Sequence, residues 1–473
     1  MATDPRGLRG DAPVLDAWLR FQENPPTPFT IPGHKQRTDL VGDVIAGDVP
    51  LYAGIDTMKL SAGVLAQAEA KAARLWGADF CRFSVGGATH ANQAVALALG
   101  GDGNRVVVSR TLHRSMLLGL VLAGLEPVWV RPEVDPATGL PMGVAPAALR
   151  RVLAEEPDVR AVFVGDPSYV GTVGDVASLA DAAHEHGIPL VVDAAWAAHF
   201  GFHPDLPRHP LQLGADVMVT SAHKTLPAWS QAALVLARTS LVDAARLDAG
   251  VEATATTSPA GALLASIDAA RALLERDGEA LLGDALVTAR QARDRLRRIE
   301  GLTVLEGPGV DPLKLTLLLS GTGADGNAVE RDLLAVGIPV ESADRDVLIG
   351  ILTMADTPVT VDRFVTAVTR SVHRHRGRPR PIVGPAVYGV DPVPVLPPRQ
   401  AFFAAARTVP IEEAVGRVSA ELVAPYPPGI PVLAPGEQIT EAALAALQQA
   451  RAAGVRIAYA ADPTLAGLRV VRD

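Results

Sequence analysis

The sequence predicts an α/β protein: a large domain with a mostly parallel sheet covered by helices, then a smaller α/β unit, then a small C-terminal α+β domain. Three observations predict this. Short, continuous apolar runs recur between turn residues, as expected of strands buried on both faces. Helical patterns separate most of those runs. Ala, Val, Leu, Gly and Pro dominate the 473 residues, about half of which are apolar and only 4% aromatic. A chain of that length has room for several domains with a sizeable core.

Taken in order, residues 1–45 form an arm, with a short helix around 14–22 and a Pro-rich loop into PFTIPGHK at 28–35. A helical pattern covers 61–76. Strands are expected at 79–84, 105–109, 126–130, 161–165, 190–193 and 217–220, with helices at 89–99, 112–123, 145–156 and 176–186. These elements define a large domain over 46–275. A long helical pattern at 260–298 leads out of it. Residues 276–374 form the smaller α/β unit, with strands near 302–306, 315–319 and 347–352. Residues 375–399 make an extended, Pro-rich connector. The last small domain, 400–473, is expected to hold two helices and a short βα element.

The net charge is −9. Such a chain has no basic field to neutralise phosphates, so it is not expected to bind nucleic acid. The basic run at 370–380, RSVHRHRGRPR, is read as a solvated helix end and linker. Cys81 is the one cysteine. It cannot form an internal disulfide, and a free thiol suits a reducing compartment. Neither a signal peptide nor a membrane-length apolar stretch is present, so a cytoplasmic protein without membrane contact is expected. No metal site is expected.

The chemistry concentrates in SAHKTLPAWSQ, residues 221–231. Lys224 follows the apolar strand VMVT in a weakly polar neighbourhood. Partial desolvation lowers a lysine's pKa and makes its amine nucleophilic enough to form an imine with an aldehyde. A lysine after a strand is by itself an ordinary surface residue; its companions alter the reading. In LVVDAAW (190–196), Asp193 ends a buried strand. A carboxylate there needs a cation or donor, and a protonated pyridine nitrogen is one, although a helix or turn cap is the alternative. In SVGGATHANQAVALAL (84–99), two glycines precede a helical pattern. Backbone N–H groups from Gly87 and Ala88 and the hydroxyl of Thr89 at such a helix start suit a phosphate. Ser221 is a second hydroxyl donor. His113 follows another strand end, where a flat imidazole can stack on a ring. His223, next to Lys224, can contact substrate or handle a proton. For either histidine a structural role is the alternative. Residues 166–169, Asp-Pro-Ser-Tyr, open another strand-end loop that either lines the site or only turns the chain. All these pieces fall at the carboxyl ends of buried strands, where parallel sheets bind ligands. Together they point to pyridoxal 5'-phosphate (PLP) carried on Lys224.

These segments resemble the Orn/Lys/Arg decarboxylase family, whose architecture is the aspartate-aminotransferase-like fold type I of PLP enzymes. SAHKTLPAWSQ is similar to the family's cofactor-lysine motif, DAAWAAHFGFHP (193–204) to its aspartate motif and PFTIPGHK to its N-terminal signature. DPLKLTL (311–317), GIPVESAD (337–344), EEAVGRVSAE (412–421) and APYPPGIPVLAPGE (424–437) resemble its small and C-terminal domains. The length resembles the shorter members, without a receiver-like N-terminal domain. The resemblance implies Lys224 as imine lysine, Asp193 as partner of the pyridine nitrogen and His113 as stacking ring. It also implies Thr89 and Ser221 near phosphate, His223 beside the imine, and a homodimer or larger homo-oligomer with the site at a subunit interface. The sequence departs from the family pattern at Ala88, where a hydroxyl donor is usual, at Thr57-Met58-Lys59, usually more acidic, and at Gly165, where a hydroxyl residue is common. The implied reaction is decarboxylation of a basic amino acid, arginine or lysine first and ornithine next. His223 or Lys224 returns the proton to the α-carbon. Glu341, Asp344 and Glu437 are candidates to grip the distal cation. An aminotransferase or oxidase on the same fold, or a non-catalytic PLP-binding relative, are the rival readings.

Overall fold

The computed structural model describes residues 3–25, 27–49, 63–101, 104–381, 386–426 and 429–472. Thr57, Met58 and Lys59 lie outside the described residues, as do Pro427 and Pro428 of the tail motif.

The arm carries helices α1 (Pro13–Glu23) and α2 (Thr38–Val41) and leads to α3 (Val64–Leu75). The large sheet follows: β1 (Phe80–Ser84), β2 (Arg105–Ser109), β3 (Glu126–Val130), β4 (Val162–Gly165), β5 (Leu190–Asp193), β6 (Val217–Ser221) and β7 (Ala233–Ala237). Between them run α4 (Gly87–Leu99), α5 (Arg114–Ala123), α6 (Pro146–Glu155), α7 (Val176–His184) and the short α8 (Ala222–Thr225). The strand order is β1-β7-β6-β5-β4-β2-β3. Neighbours pair in parallel except β7, which runs against both β1 and β6. The expected parallel sheet is therefore present, with one reversed strand that the sequence reading left out.

Alternation along each strand sends side chains to opposite faces. Val107, Val162, Val164, Val192 and Met218 pack in one core with Leu149, Leu179 and Leu264 of the helices on that side. Val106, Val108, Phe163, Val191 and Val219 pack in the other with Val95, Met116, Leu120 and Leu247. Both faces are thus covered, which is why the strands read as unbroken apolar runs. Cys81 is buried in the first core as a free thiol, and burial pushes its pKa well up.

After α9 (Ala244–Thr254), the long α10 (Gly261–Leu296) leads to a second sheet. Its strands are β8 (Thr303–Val304), β9 (Lys314–Leu318), β10 (Ser342–Ala343) and β11 (Val347–Ile351), in the antiparallel order β10-β11-β9-β8, accompanied by α11 (Gly326–Ala335) and α12 (Pro358–Arg374). Thr357 starts α12 with a reciprocal cap to Thr360 and a proline follows at its first turn. The basic run after α12 is only partly solvated. Arg380 donates to the Asp346 carboxylate (2.8 Å) and to the carbonyls of Gly323 (2.7 Å) and Ala324 (2.6 Å), pinning the connector to the second sheet.

The tail holds α13 (Pro398–Phe403), β12 (Ala406–Pro410), β13 (Ala424–Tyr426), α14 (Glu441–Ala452), β14 (Arg456–Ala458) and β15 (Gly467–Val471). It has the two expected helices, but its strands form two antiparallel ribbons, β12 with β15 and β13 with β14, in place of one βα element. Proline ends β12 (ARTVP) and sits inside β13 (APY), and three-residue strands such as β13 and β14 are too short to show a period-two pattern.

Candidate active site

One cavity opens where β1, β2, β4, β5 and β6 end, at the carboxyl edge of the parallel strands. Every residue singled out from the sequence for cofactor or catalysis lines it: Gly87, Ala88, Thr89, His113, Asp193, Ser221, His223 and Lys224. The sheet brings together positions more than a hundred residues apart because each strand delivers its last side chains to the same edge.

Gly86 and Gly87 turn the chain from β1 into α4, and Gly87 takes φ +71, a conformation that disfavours side chains. The first N–H groups of a helix have no partner within it; contrary to the expectation from sequence, that of Gly87 is taken by the Gln231 carbonyl (2.8 Å), so the donors that the start of α4 offers at the cavity wall are those of Ala88 and Thr89. Ser221, also in the cavity wall, is fully buried and its Oγ has no hydrogen-bond partner among the described residues. A buried hydroxyl without a partner is uncommon and calls for a physical explanation. Ala88 brings no side-chain hydroxyl to this wall. Gly165 also lines the cavity, and a Cβ there would meet the Leu112 side chain at an ordinary 3.7 Å.

The Asp193 carboxylate is buried. It accepts from Asn92 Nδ2 (2.8 Å) and the Ala195 N–H (3.2 Å), and has no ion-pair partner among the described residues. Asn92 also donates to Ser115 Oγ (2.9 Å), and Ser115 engages His113 Nδ1 through its hydroxyl (2.8 Å) and its N–H (3.2 Å). Because Nδ1 accepts the N–H, the proton of a neutral His113 sits on Nε2. The residue is exposed at the cavity; desolvation by the surrounding protein lowers its pKa, Asp193 opposes this, and Lys224 and Arg114 reinforce it. Asn92 escaped the sequence reading: an amide inside the Ala-rich HANQAVALAL helix gives no sign that it braces a carboxylate one hundred residues away.

Lys224 sits in α8 with its Nζ 4.1 Å from the centroid of the Trp196 ring. Burial lowers its pKa, against the pull of Asp193 and Glu341. His223 Nδ1 bonds the Ala232 carbonyl (2.9 Å), which requires Nδ1 to donate and leaves Nε2 free to accept in the neutral ring. From the strand-end loop after β4, Pro167, Ser168 and Tyr169 line the cavity. Asp166 does not. It is buried with its carboxylate accepting the Gly174 N–H (2.5 Å), and burial raises its pKa to about 7.

Two other parts of the chain close the cavity. Glu341, just before β10, lines it and accepts from the Tyr169 hydroxyl (2.9 Å). Tyr426 and Tyr459 reach it from the tail. The other two distal-cation candidates are engaged elsewhere. Asp344 accepts the N–H groups of Asp346 and Val347 (2.7 Å each) and lines a separate cavity beside Tyr388 and Gln449. Glu437 is buried in a two-pronged pair with Arg110 (2.5 and 2.8 Å). No cluster of three or more His, Cys, Asp or Glu suited to a metal occurs among the described residues, and none of their helices is long and apolar enough to cross a membrane.

The fold and this strand-end site define the class: an α/β protein of PLP fold type I. Solved structures agree on the fold. The Francisella novicida lysine decarboxylase LdcF superposes with a TM-score of 0.84 at 19% identity, over 98% of this chain and 81% of that one. Lysine decarboxylase A from Pseudomonas aeruginosa gives 0.82 at 21% identity with the same coverage. Sequence comparison is more specific. The family model for the Orn/Lys/Arg decarboxylase major domain matches residues 12–311, and that for the C-terminal domain matches 384–456. Arginine decarboxylases of Bacillus subtilis (strain 168) and Halalkalibacterium halodurans are 31% and 32% identical to this chain, each over 98% of both sequences. The chain belongs to the Orn/Lys/Arg decarboxylase family, and its activity class is PLP-dependent decarboxylation of a basic amino acid.

Proposed function

We propose that the protein converts arginine, or else lysine or ornithine, to the corresponding amine and CO2, with the cofactor held on Lys224. The observation that carries this reading is the convergence in one cavity of a desolvated amine (Lys224), a buried carboxylate without an ion-pair partner (Asp193) and a buried orphan hydroxyl (Ser221). Those three groups, with the start of α4 and the His113 ring, fit the aldehyde, pyridinium, phosphate and ring face of PLP. Bound there, PLP supplies a carbonyl for amines and a sink for the electron pair left when the carboxylate departs.

Asp193, braced by Asn92 and the Ala195 N–H, would hold a proton on the pyridine nitrogen and so keep the ring cationic. Ala88, Thr89 and Ser221 would hold the phosphate, with Gly87 supplying the turn that brings them there. His113 would flank the ring. Lys224 would hold the cofactor at its aldehyde carbon, where amines exchange. His223 Nε2 or Lys224 Nζ delivers a proton to the α-carbon. Glu341 receives the distal cation at the mouth, supported by its exposure to the cavity and by the Tyr169 hydroxyl that orients it. Arginine stands first because the full-length relatives above are arginine decarboxylases. The protein acts as a homodimer or larger homo-oligomer in the cytoplasm. Supporting an oligomer, the arm exposes Phe29 (97%), Val44 (84%), Leu40 and Val41, an apolar set suited to a second copy.

The test is incubation of the holoenzyme with arginine, lysine and ornithine, following CO2, amine, keto acid and peroxide. One of the three is expected to give CO2 and amine in equal amounts. Absence of CO2 from all three, or keto acid or peroxide as the main product, overturns the proposal.

A further inference from the structure

Lys314 opens β9 as a buried amine that the roles above leave out. It is 2% exposed, and its Nζ has no hydrogen-bond partner. Burying an unpaired amine is unfavourable. The surroundings nonetheless hold it. Its stem crosses Gly171, at φ +90, where a Cβ would lie 3.0, 3.1 and 3.3 Å from the Cβ, Cγ and Cδ of Lys314. Its carbonyl accepts from Arg293 Nη2 (2.7 Å). Its Nζ lies 3.4 Å from the Trp196 ring centroid and 5.3 Å from that of Tyr169, and both rings are cavity walls. Lys224 Nζ is 4.1 Å from the same Trp196 centroid, so the two amines are no farther apart than those two distances laid end to end.

The charged groups facing Lys314 are Asp311, from the segment before β9, Glu341, from before β10, and Lys224, from α8. Asp311 is itself engaged by His199 Nε2 (3.4 Å) and the Leu313 N–H (2.9 Å). Burial pushes the Lys314 amine down to about 7; Asp311 and Glu341 oppose this and Lys224 reinforces it. Two of these groups, Lys224 and Glu341, stand on the cavity surface. A charge arriving in the cavity therefore acts on Lys314 as well.

The substrate brings such a charge, its α-carboxylate. No arginine lines the cavity among the described residues, and Lys224 is the lysine on its surface. A fixed cation against the carboxylate would stabilise the bound substrate more than a transition state approaching neutral CO2. An amine that ionises only on demand avoids much of that penalty.

Resting on the reading of this cavity as the site of a basic amino acid, we propose that Lys314 is the charge-compensating amine of the site. It takes up a proton as the substrate's carboxylate enters and returns it to solvent once the carboxylate has left as CO2. It acts through the Trp196 and Tyr169 walls, as a positioning residue for the anion.

Calorimetry of the holoenzyme in buffers of different ionisation enthalpy tests this at about pH 8. δ-Guanidinovalerate and ε-aminocaproate carry the distal cation and the carboxylate but no α-amine. They are expected to bind with uptake of about half a proton per site. Butylguanidine and pentylamine, without the carboxylate, are expected to bind with none. Lys314→Met keeps the stem and removes the titrating group; uptake vanishes, the carboxylate probes bind about tenfold more weakly, and the carboxylate-free probes bind as before. Lys314→Arg, permanently charged, restores affinity without uptake. A lysine with only a packing role predicts unchanged uptake in both variants. Uptake that persists in either folded variant, or carboxylate probes that bind the wild-type protein without uptake, overturns the proposal. If Lys314→Met does not fold, Lys314→Arg alone decides. Failure of all four probes to bind overturns the reading of the cavity and the role of Lys314 together.

Discussion

Replacing Glu437 tests how the tail is fastened to the sheet that carries the site. The Arg110 and Glu437 side chains are 6% and 4% exposed. The guanidinium gives two N–H bonds to the carboxylate, donates to the carbonyls of Pro431 (3.0 Å) and Val432 (3.1 Å), and lies 4.5 Å from the Trp129 ring centroid. The carboxylate also accepts the Ala434 N–H (2.8 Å). Glu437→Leu leaves a buried guanidinium with neutral partners only, which costs about 3–5 kcal/mol. Glu437→Gln keeps acceptor capacity and loses the charge assistance, costing about 1.5–3 kcal/mol. The double variant Arg110→Met/Glu437→Leu removes both charges and is expected to be more stable than Glu437→Leu alone, because replacing a buried pair by apolar groups is often close to neutral. Urea denaturation followed by tryptophan fluorescence is the assay, since Trp129 reports on the pair directly. A Glu437→Leu midpoint equal to the wild-type midpoint, or a double variant that loses the sum of both single losses, refutes the coupling.

Four further outcomes are expected. Asn92→Ala removes a donor from the Asp193 carboxylate, worth about 1.5–3 kcal/mol for a charged acceptor, so equilibrium dialysis should show PLP bound at least tenfold more weakly. Glu341→Gln should raise KM for the basic amino acid with a smaller change in kcat, and leave PLP binding intact, as measured by steady-state kinetics and absorbance titration. Asp166 holds its proton to about pH 7 when folded and loses it near 3.8 when unfolded; folded protein therefore binds more protons in that window, and this group's contribution to stability falls as pH rises through it, by at most about 4 kcal/mol. Asp166→Asn should flatten that decline in melting temperature measured from about pH 4 to 8. Gly171→Ala places a Cβ against the Lys314 stem at φ +90 and should lower stability by about 1–3 kcal/mol, read by thermal melting.

Most of the large sheet was legible because its strands are buried on both faces, which writes them as unbroken runs of Val, Leu and Phe. β7 was not: Ala233–Ala237 reads ALVLA, and alanine favours helix over strand. Only its pairing between β1 and β6 makes it a strand. Within the site, glycines before a helix, an aspartate ending a strand and a lysine opening the next turn are local signals. Asn92 and Lys314 have no such local signal. The lysine of DPLKLTL stands in a strand pattern where long cations normally reach solvent, and only the Gly171 slot and the Trp196 ring turn it inward. The three carboxylates proposed for the distal cation were equivalent in sequence. Glu437 meets Arg110 across 327 positions, and Asp344 is consumed by its own turn, which leaves Glu341 at the cavity.

This division has a physical basis. The groups suited to the cofactor sit on strand ends of one rigid sheet, where short loops constrain each side chain and sequence spacing preserves the relation. The groups proposed to face incoming substrate come partly from elsewhere: Glu341 from just before β10 and Tyr426 and Tyr459 from the tail, meeting Trp196 and Tyr169 of the strand-end loops. Their mutual positions depend on packing between distant segments, fastened by buried devices such as the Arg110–Glu437 pair and the Arg293 contacts to the carbonyls of Leu305 (2.6 Å) and Lys314 (2.7 Å). Precision at the reacting bond then rests on the sheet, while the fit to one basic side chain over another rests on how those segments close over it. Changes that loosen the fasteners should therefore alter substrate preference before they alter cofactor binding.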